Sequence, residues 1–175
     1  CARILAKAIN CLHPVDGEPC NECEACRGID EGTLLDITEL DAASNNGVDH
    51  VRALREEAVY TPAVLKKRVY IIDEVHMLST PAFNALLKIL EEPPEHLVFI
   101  LATTELHKVP ATILSRCQRF LFKRILPRDM EKHLLHVAAA EQIDLQPDGA
   151  EILARMANGA LRDALSLLDQ CRAAE

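Results

Sequence analysis

Residues 69–78 read VYIIDEVHML. Val69, Tyr70, Ile71 and Ile72 form an unbroken apolar run that ends on two carboxylates, Asp73 and Glu74. A short continuous apolar run is the signature of a buried strand in a parallel sheet, and such sheets carry their working groups at the C-terminal ends of their strands. Adjacent acids at that position can divide two tasks that phosphoryl transfer requires. Asp73 can hold magnesium and Glu74 can orient and deprotonate a water. A plainer alternative is an acidic strand end that caps the next helix or pairs with a lysine. No Gly-x-x-x-x-Gly-Lys-Ser/Thr phosphate loop occurs in the 175 residues, which leaves open what would hold the phosphates.

Outward from this strand, Leu97–Thr103 reads as a second continuous apolar strand, and Leu34–Leu40 alternates well enough for a third that ends at Asp41. Arg119–Ile125 reads as a last strand. Helices separate most of them. In CARILAKAIN, Cys1, Ile4, Leu5, Ala8 and Ile9 share one helical face, and Val48–Val59 is apolar at helical spacing after the turn-like SNNG. STPAFNALLKILEEPP is a helix that Thr80 can cap, with Pro81 in its first turn and Pro93–Pro94 as its stop. The order is that of an α/β fold with a mostly parallel sheet. After Pro127 the character changes: Arg128–Glu141, Asp148–Met156 and Leu161–Arg172 are helical patterns with no strand among them. We therefore expect a nucleotide-binding α/β domain over residues 1–125 and a small all-helical domain over 126–175.

Aromatic residues are only 3% of the chain and Trp is absent, so the core must be aliphatic. A net charge of −8 argues against a wholly basic nucleic-acid-binding domain, though not against a local basic face. Lys66, Lys67 and Arg68 make one basic run, which a solvated strand entry also explains. The longest apolar run, Leu97–Ala102, is far too short to span a bilayer, and no signal peptide is visible. With seven cysteines, four of them between Cys11 and Cys26, the chain fits a reduced, cytoplasmic compartment better than a secreted disulfide fold.

The cysteine-rich stretch CLHPVDGEPCNECEAC reads as loop and spaces Cys11, Cys20, Cys23 and Cys26 as C-x8-C-x2-C-x2-C. Four thiolates can close a tetrahedral shell with no open position, which makes a structural zinc site the leading reading. An iron–sulfur cluster and disulfides are the other occupants of such a pattern. Cys1, Cys117 and Cys171 stand apart in apolar patterns and read as core thiols. ILATT ends its strand on Thr103 and Thr104, where a hydroxyl can sense a γ-phosphate. LSRC places Arg116 in a short helix after a proline, and ALRDALS places Arg162 on the helical part. Each arginine alone would read as solvated surface. His76, just past the strand, reads as a satisfied turn residue, although Asp-Glu-x-His also occurs in helicases.

Taken together, LDAASNNGVDHVRALREE, VYIIDEVHMLSTPAFNALLKILEEPPEH, FILATTELHKVPATILSRCQRF and GALRDALSLLDQ resemble the clamp-loader gamma/tau subunits of bacterial DNA polymerase III, a family of AAA+ ATPases. The resemblance runs over nearly the whole chain and includes the cysteine loop. It implies an AAA+ domain with an inserted zinc loop and a helical lid. It further implies that Asp73 and Glu74 are the magnesium-binding and water-activating pair, and that Thr104 reads the γ-phosphate. Arg116 would be a finger offered to a neighbouring subunit's ATP, and Arg162 would fold the lid onto nucleotide. Cys11, Cys20, Cys23 and Cys26 would hold Zn2+.

In the family the phosphate loop lies directly before the helix that CARILAKAIN matches. These 175 residues are therefore expected to be a fragment that binds ATP poorly or not at all. Other loader subunits, a sliding clamp and primed DNA are the implied partners, with no membrane. Asn45 and Asn46, in a turn that offers no Lys or Arg, are candidates to face the DNA. Rival readings are a non-hydrolysing delta-prime-like subunit, an Asp-Glu-x-His helicase, and a zinc-stabilised scaffold without a nucleotide role.

Overall fold

The structure, a computed structural model, describes residues 1–172; residues 173–175, at the end of the expected helical domain, lie outside the described residues. The chain divides into one unit from Cys1 to Arg119 and another from Phe120 onward.

The first unit is built on a three-stranded parallel sheet in the order β1–β2–β3. β1 is Ile37–Asp41, β2 is Arg68–Asp73 and β3 is Leu97–Leu101. Asp41 pairs with Asp73 and Ile72 with Leu101, so the strands end level and deliver the loops after them to one edge. Successive side chains of β2 point to opposite faces. Tyr70 and Ile72 pack with Val51 and Leu54 of α3 (Val48–Glu57) and with Phe83, Leu86 and Ile89 of α4 (Thr80–Glu91). Val69 and Ile71 pack on Ala6 of α1 (Ala2–Asn10). Helices therefore cover both faces of β2, which is the physical reason its sequence is apolar without alternation.

The other side is fastened by buried polar groups. The Lys7 ammonium donates to Asn21 Oδ1 at 2.8 Å and to Asp30 Oδ2 at 2.9 Å, tying α1 to the cysteine loop and to α2 (Glu24–Glu31). Asn10 Oδ1 accepts from the Lys67 N–H at 2.8 Å, and Lys66 Nζ donates to the Cys11 carbonyl at 2.8 Å. Asp36 is 1% exposed and accepts from the backbone N–H groups of Ala63, Val64 and Leu65 at 2.9, 2.8 and 3.0 Å. Burial alone would push its pKa up, but those three N–H donors and the Arg68 guanidinium outweigh it and hold the carboxyl below its ordinary range. The basic run Lys66–Arg68 is thus spent largely on internal fastening.

The second unit contains α6 (Pro127–Ala140), α7 (Pro147–Met156) and α8 (Leu161–Arg172), following α5 (Ala111–Leu114) of the first unit. Met130, Leu134, Leu153, Ala154, Ala164 and Leu168 form its core. Between α7 and α8, Gly159 adopts φ +82°, and a Cβ there would lie 2.6 Å from Arg124 Cβ. Only glycine lets the two segments approach this closely.

Several expectations need correction. Arg119–Ile125 forms no strand: residues 119–124 are exposed, and its own helical unit offers no sheet edge to pair with among the described residues. β3 stops at Leu101 because the Ala102 carbonyl accepts from Val75 N–H and the Thr103 hydroxyl accepts from Glu105 N–H, turning the chain. Leu34–Asp36 lie before β1, which starts at Ile37. The cysteine stretch is not all loop, since α2 starts at Glu24 with Cys23 as its cap. Ser79, not Thr80, caps α4, its hydroxyl accepting from Ala82 N–H at 3.3 Å. On α1 the inward face is Ala6, Lys7 and Asn10, while Ile4 and Leu5 are exposed, because polar anchors rather than apolar area set its rotation. Cys1 and Cys171 are exposed, and only Cys117 is partly buried, where burial pushes its thiol pKa up.

Candidate active site

The level strand ends create a polar shelf at the C-terminal edge of the sheet. Asp73 closes β2 and is exposed, with one carboxylate oxygen accepting from Glu74 N–H at 3.0 Å. Glu74 then takes the left-handed conformation, φ 47° and ψ 45°. That is an uncommon state for a residue with a side chain, costing on the order of 1 kcal/mol or more. Across this turn the two consecutive carboxylates meet different partners. Glu74 Oε2 accepts from the Thr104 hydroxyl at 3.0 Å and from Thr104 N–H at 3.3 Å, across from the end of β2 to the loop after β3. Thr104 is exposed, whereas Thr103 is half-buried and faces His76.

Arg116 lies just past the end of α5 rather than within it. Its guanidinium pairs with Glu91 Oε1 of α4 at 2.9 Å, donates to the Thr112 carbonyl at 2.8 Å, and keeps 35% side-chain exposure. Arg162 is the second residue of α8, exposed, in the second unit. Asn45 uses both its backbone N–H and its side-chain amide on the Asp41 carbonyl, at 3.0 and 3.1 Å. Asn46 accepts from Ser79 N–H through its carbonyl and leaves its side chain exposed. Asp41 itself is bound by the Ser44 hydroxyl and Ala43 N–H, which hold its carboxyl below the usual range.

The four cysteines converge. The sulfurs of Cys11, Cys20, Cys23 and Cys26 all lie within 4.8 Å of one another, and Cys11 and Cys23 are 4.0 Å apart. A tetrahedral zinc with ~2.3 Å bonds separates its sulfurs by about 3.8 Å, so these side chains fit the ion with small shifts. Backbone N–H groups of Cys20, Cys23 and Cys26 point at the sulfurs of Cys11, Cys20 and Cys23. Backbone N–H donors from Leu12 and Cys26 lower the Cys23 thiol to about 6, and that of Cys20 lowers Cys11. Burial, with Cys23 beside it, pushes Cys26 up to about 12.

The features absent from the sequence reading are the partners: His76 beside Glu74, Glu105 beside His76, and Glu91 on Arg116. Glu91 and Glu105 carried no signal, being two of 27 acidic residues. His76 was marked only by its place two residues after the acid pair.

Comparison with known proteins identifies the family. Residues 1–125 match the family described as DNA polymerase III, delta subunit, and residues 129–174 match the DNA polymerase III clamp loader subunit, ATPase lid domain. The chain belongs to the DNA polymerase III clamp-loader family. Among clamp-loader relatives, it is 59% identical over 170 residues to DNA polymerase III subunit tau of Bacillus subtilis, covering 97% of this chain and 30% of that protein. It is 49% identical over 169 residues to subunit tau of Escherichia coli, covering 97% of this chain and 26% of that one. The chain thus spans less than a third of the length of these two relatives. Among solved structures, the Thermotoga maritima RuvB Holliday junction branch migration motor superposes with a TM-score of 0.66 at 17% identity, covering 85% of this chain and 48% of that one. At that identity the likeness shows the α/β fold alone. Among the described residues, no helix of this clamp-loader chain is long and apolar enough to cross a membrane.

Proposed function

We propose that this chain supplies the nucleotide-responsive part of a cytoplasmic clamp loader. That assembly uses ATP binding and hydrolysis to open a sliding clamp and load it onto primed DNA during replication. Residues 1–125 would act as the nucleotide domain and 126–175 as its lid. The observation that carries the reading is the shelf itself: Asp73 and Glu74 at the sheet's C-terminal edge, each with its own partners, and Glu74 held by Thr104.

Asp73 has the exposure and free oxygen needed to bind Mg2+, which when bound supplies charge neutralisation for the phosphates. Glu74 is the base that orients and deprotonates the attacking water. Thr104 connects that base to the end of β3, where its hydroxyl can exchange Glu74 for a γ-phosphate oxygen. Arg116 is near the surface and anchored only by side-chain and carbonyl contacts, which suits a group lent to a neighbouring subunit's ATP. Arg162, exposed at the head of α8, suits contact with nucleotide in its own subunit. Cys11, Cys20, Cys23 and Cys26 would hold Zn2+, whose four thiolates leave no open position and so give it a structural task. Asn46, with its exposed side chain near the head of α3, is the better placed of the two asparagines to meet a DNA phosphate.

A second reading, the non-hydrolysing delta-prime-like subunit, draws on the match of residues 1–125 to the delta family. The intact Asp73–Glu74 pair and Arg162 favour the hydrolysing one. The test is Glu74→Gln in the complete protein assembled with its loader partners, clamp and primed DNA. Stimulated ATP turnover should fall by about 10²–10⁴-fold while ATP binding persists. Turnover unchanged in that variant would remove Glu74 as the base.

A further inference from the structure

His76 is unused by the reading above, yet it is the most enclosed side chain of the shelf, with 8% exposure. It sits in the single helical turn Val75–Met77 that follows the acid pair. Its ring reaches three groups on two segments. Nδ1 lies 3.0 Å from the Thr103 hydroxyl and 3.2 Å from Glu74 Oε2, and Nε2 lies 3.3 Å from Glu105 Oε2. The same Glu74 oxygen receives the Thr104 hydroxyl. Glu105 is itself anchored by Lys108, and Thr103 accepts from Glu105 N–H. The ring is therefore a wedge between the loop after β2 and the loop after β3. It touches the carboxylate whose direction decides whether a water can be activated.

We propose that His76 is a positioning residue for Glu74: its ring, hydrogen-bonded through Nδ1 to the Thr103 hydroxyl, backs the Glu74 carboxylate against the end of β3 and couples its aim to the Thr103–Glu105 loop. The inference rests on the assignment of Glu74 as the base. A Glu side chain has three rotatable bonds, and the left-handed backbone at Glu74 restricts χ1 without fixing the direction of the carboxylate. Thr104 is exposed and donates to Glu74 Oε2; the enclosed imidazole, bonded to Thr103, lies against the same oxygen from the protein side at 3.2 Å. Removing it frees the carboxylate without touching Asp73 or Thr104, so nucleotide affinity should survive while turnover falls. Misaiming a catalytic group by about 1 Å costs up to ~10²-fold.

The experiment measures MgATP affinity and clamp- and primed-DNA-stimulated turnover in the assembled loader for His76→Ala, His76→Asn and His76→Gln. The amide of Asn falls where Nδ1 was, and that of Gln falls where Nε2 was, so the two separate the side facing Thr103 and Glu74 from the side facing Glu105. We expect His76→Ala to lower kcat by about ten- to a hundredfold with ATP affinity within about twofold. His76→Asn should recover most of the loss and His76→Gln little of it. Turnover within twofold of the parent in His76→Ala overturns the proposal, as does a matched loss of ATP affinity and turnover. Should the alanine variant not fold, the comparison of Asn with Gln decides: Gln equal to or better than Asn overturns it. Glu74→Gln keeps the two claims apart. If that variant still turns over ATP, the base assignment fails. If it is inactive and His76→Ala is not impaired, only the present inference fails.

Discussion

Asp36→Ala should loosen the entry to β2 while leaving the polar shelf chemically intact. The carboxylate is 1% exposed and accepts three backbone N–H groups, from Ala63, Val64 and Leu65, with the Arg68 guanidinium 3.6 Å away. Hydrogen bonds to a charged acceptor contribute about 1.5–3 kcal/mol each, so a naive sum over the three is about 4.5–9 kcal/mol. Ala63 and Val64 are exposed residues whose amides can recruit water after the change. Leu65 is buried, and Arg68, whose Nε already lacks a partner, would lose its counter-charge. Weighing one fully stranded donor and one orphaned cation against two rehydrated amides gives a net cost of about 3 kcal/mol. That corresponds to roughly a hundredfold faster exchange at these amides, at about 1.4 kcal/mol per factor of ten. Amide hydrogen exchange in the complete protein, read at Ala63, Val64 and Leu65, is the assay. A change below about threefold would refute the reasoning, since the carboxylate would then not be what holds the turn.

The same group sets a pH dependence. Its folded-state pKa lies below the unfolded value, so its contribution is complete above the ordinary carboxylate range and is lost as pH falls through the folded-state value. Protection at these three amides should therefore collapse in acid in the parent protein and be flat over that range in Asp36→Asn. Arg116→Ala should cut partner-stimulated ATP turnover by about 10³–10⁵-fold without preventing assembly, and mixing experiments should place the defect in the neighbouring subunit's site; unchanged turnover would return Arg116 to a solvated partner of Glu91. The complete protein purified under reducing conditions should carry zinc that Cys26→Ser abolishes, with faster amide exchange in α1 and α2 because Lys7 bridges them through Asn21 and Asp30; elemental analysis finding no metal would reject the site.

The features legible in the sequence are the local ones. The apolar run Val69–Ile72 identifies a strand covered on both faces, the spacing Cys11–Cys26 brings four sulfurs together within one short stretch, and helical periodicity marks α3, α4 and α6–α8. Local pattern misled where a tertiary partner was decisive. Arg119–Ile125 has the composition of a strand, but a strand exists only by pairing, and among the described residues of its unit nothing presents an edge. α1 turned its polar Lys7 and Asn10 inward because the cysteine loop, α2 and the residue before β2 supplied matching acceptors and donors, which no periodicity of α1 alone could reveal. The shelf divides in the same way. That an acid pair, Asp73 and Glu74, stands where a parallel strand ends was determined by sequence. That Glu74 bends into the left-handed region, lies on Thr104 and is wedged by His76, and that Arg116 rests on Glu91, was decided only by folding. Those partners are 25 to 30 residues apart in the chain or sit across a strained turn, and a hydrogen bond depends on position in space, to which composition and spacing are blind.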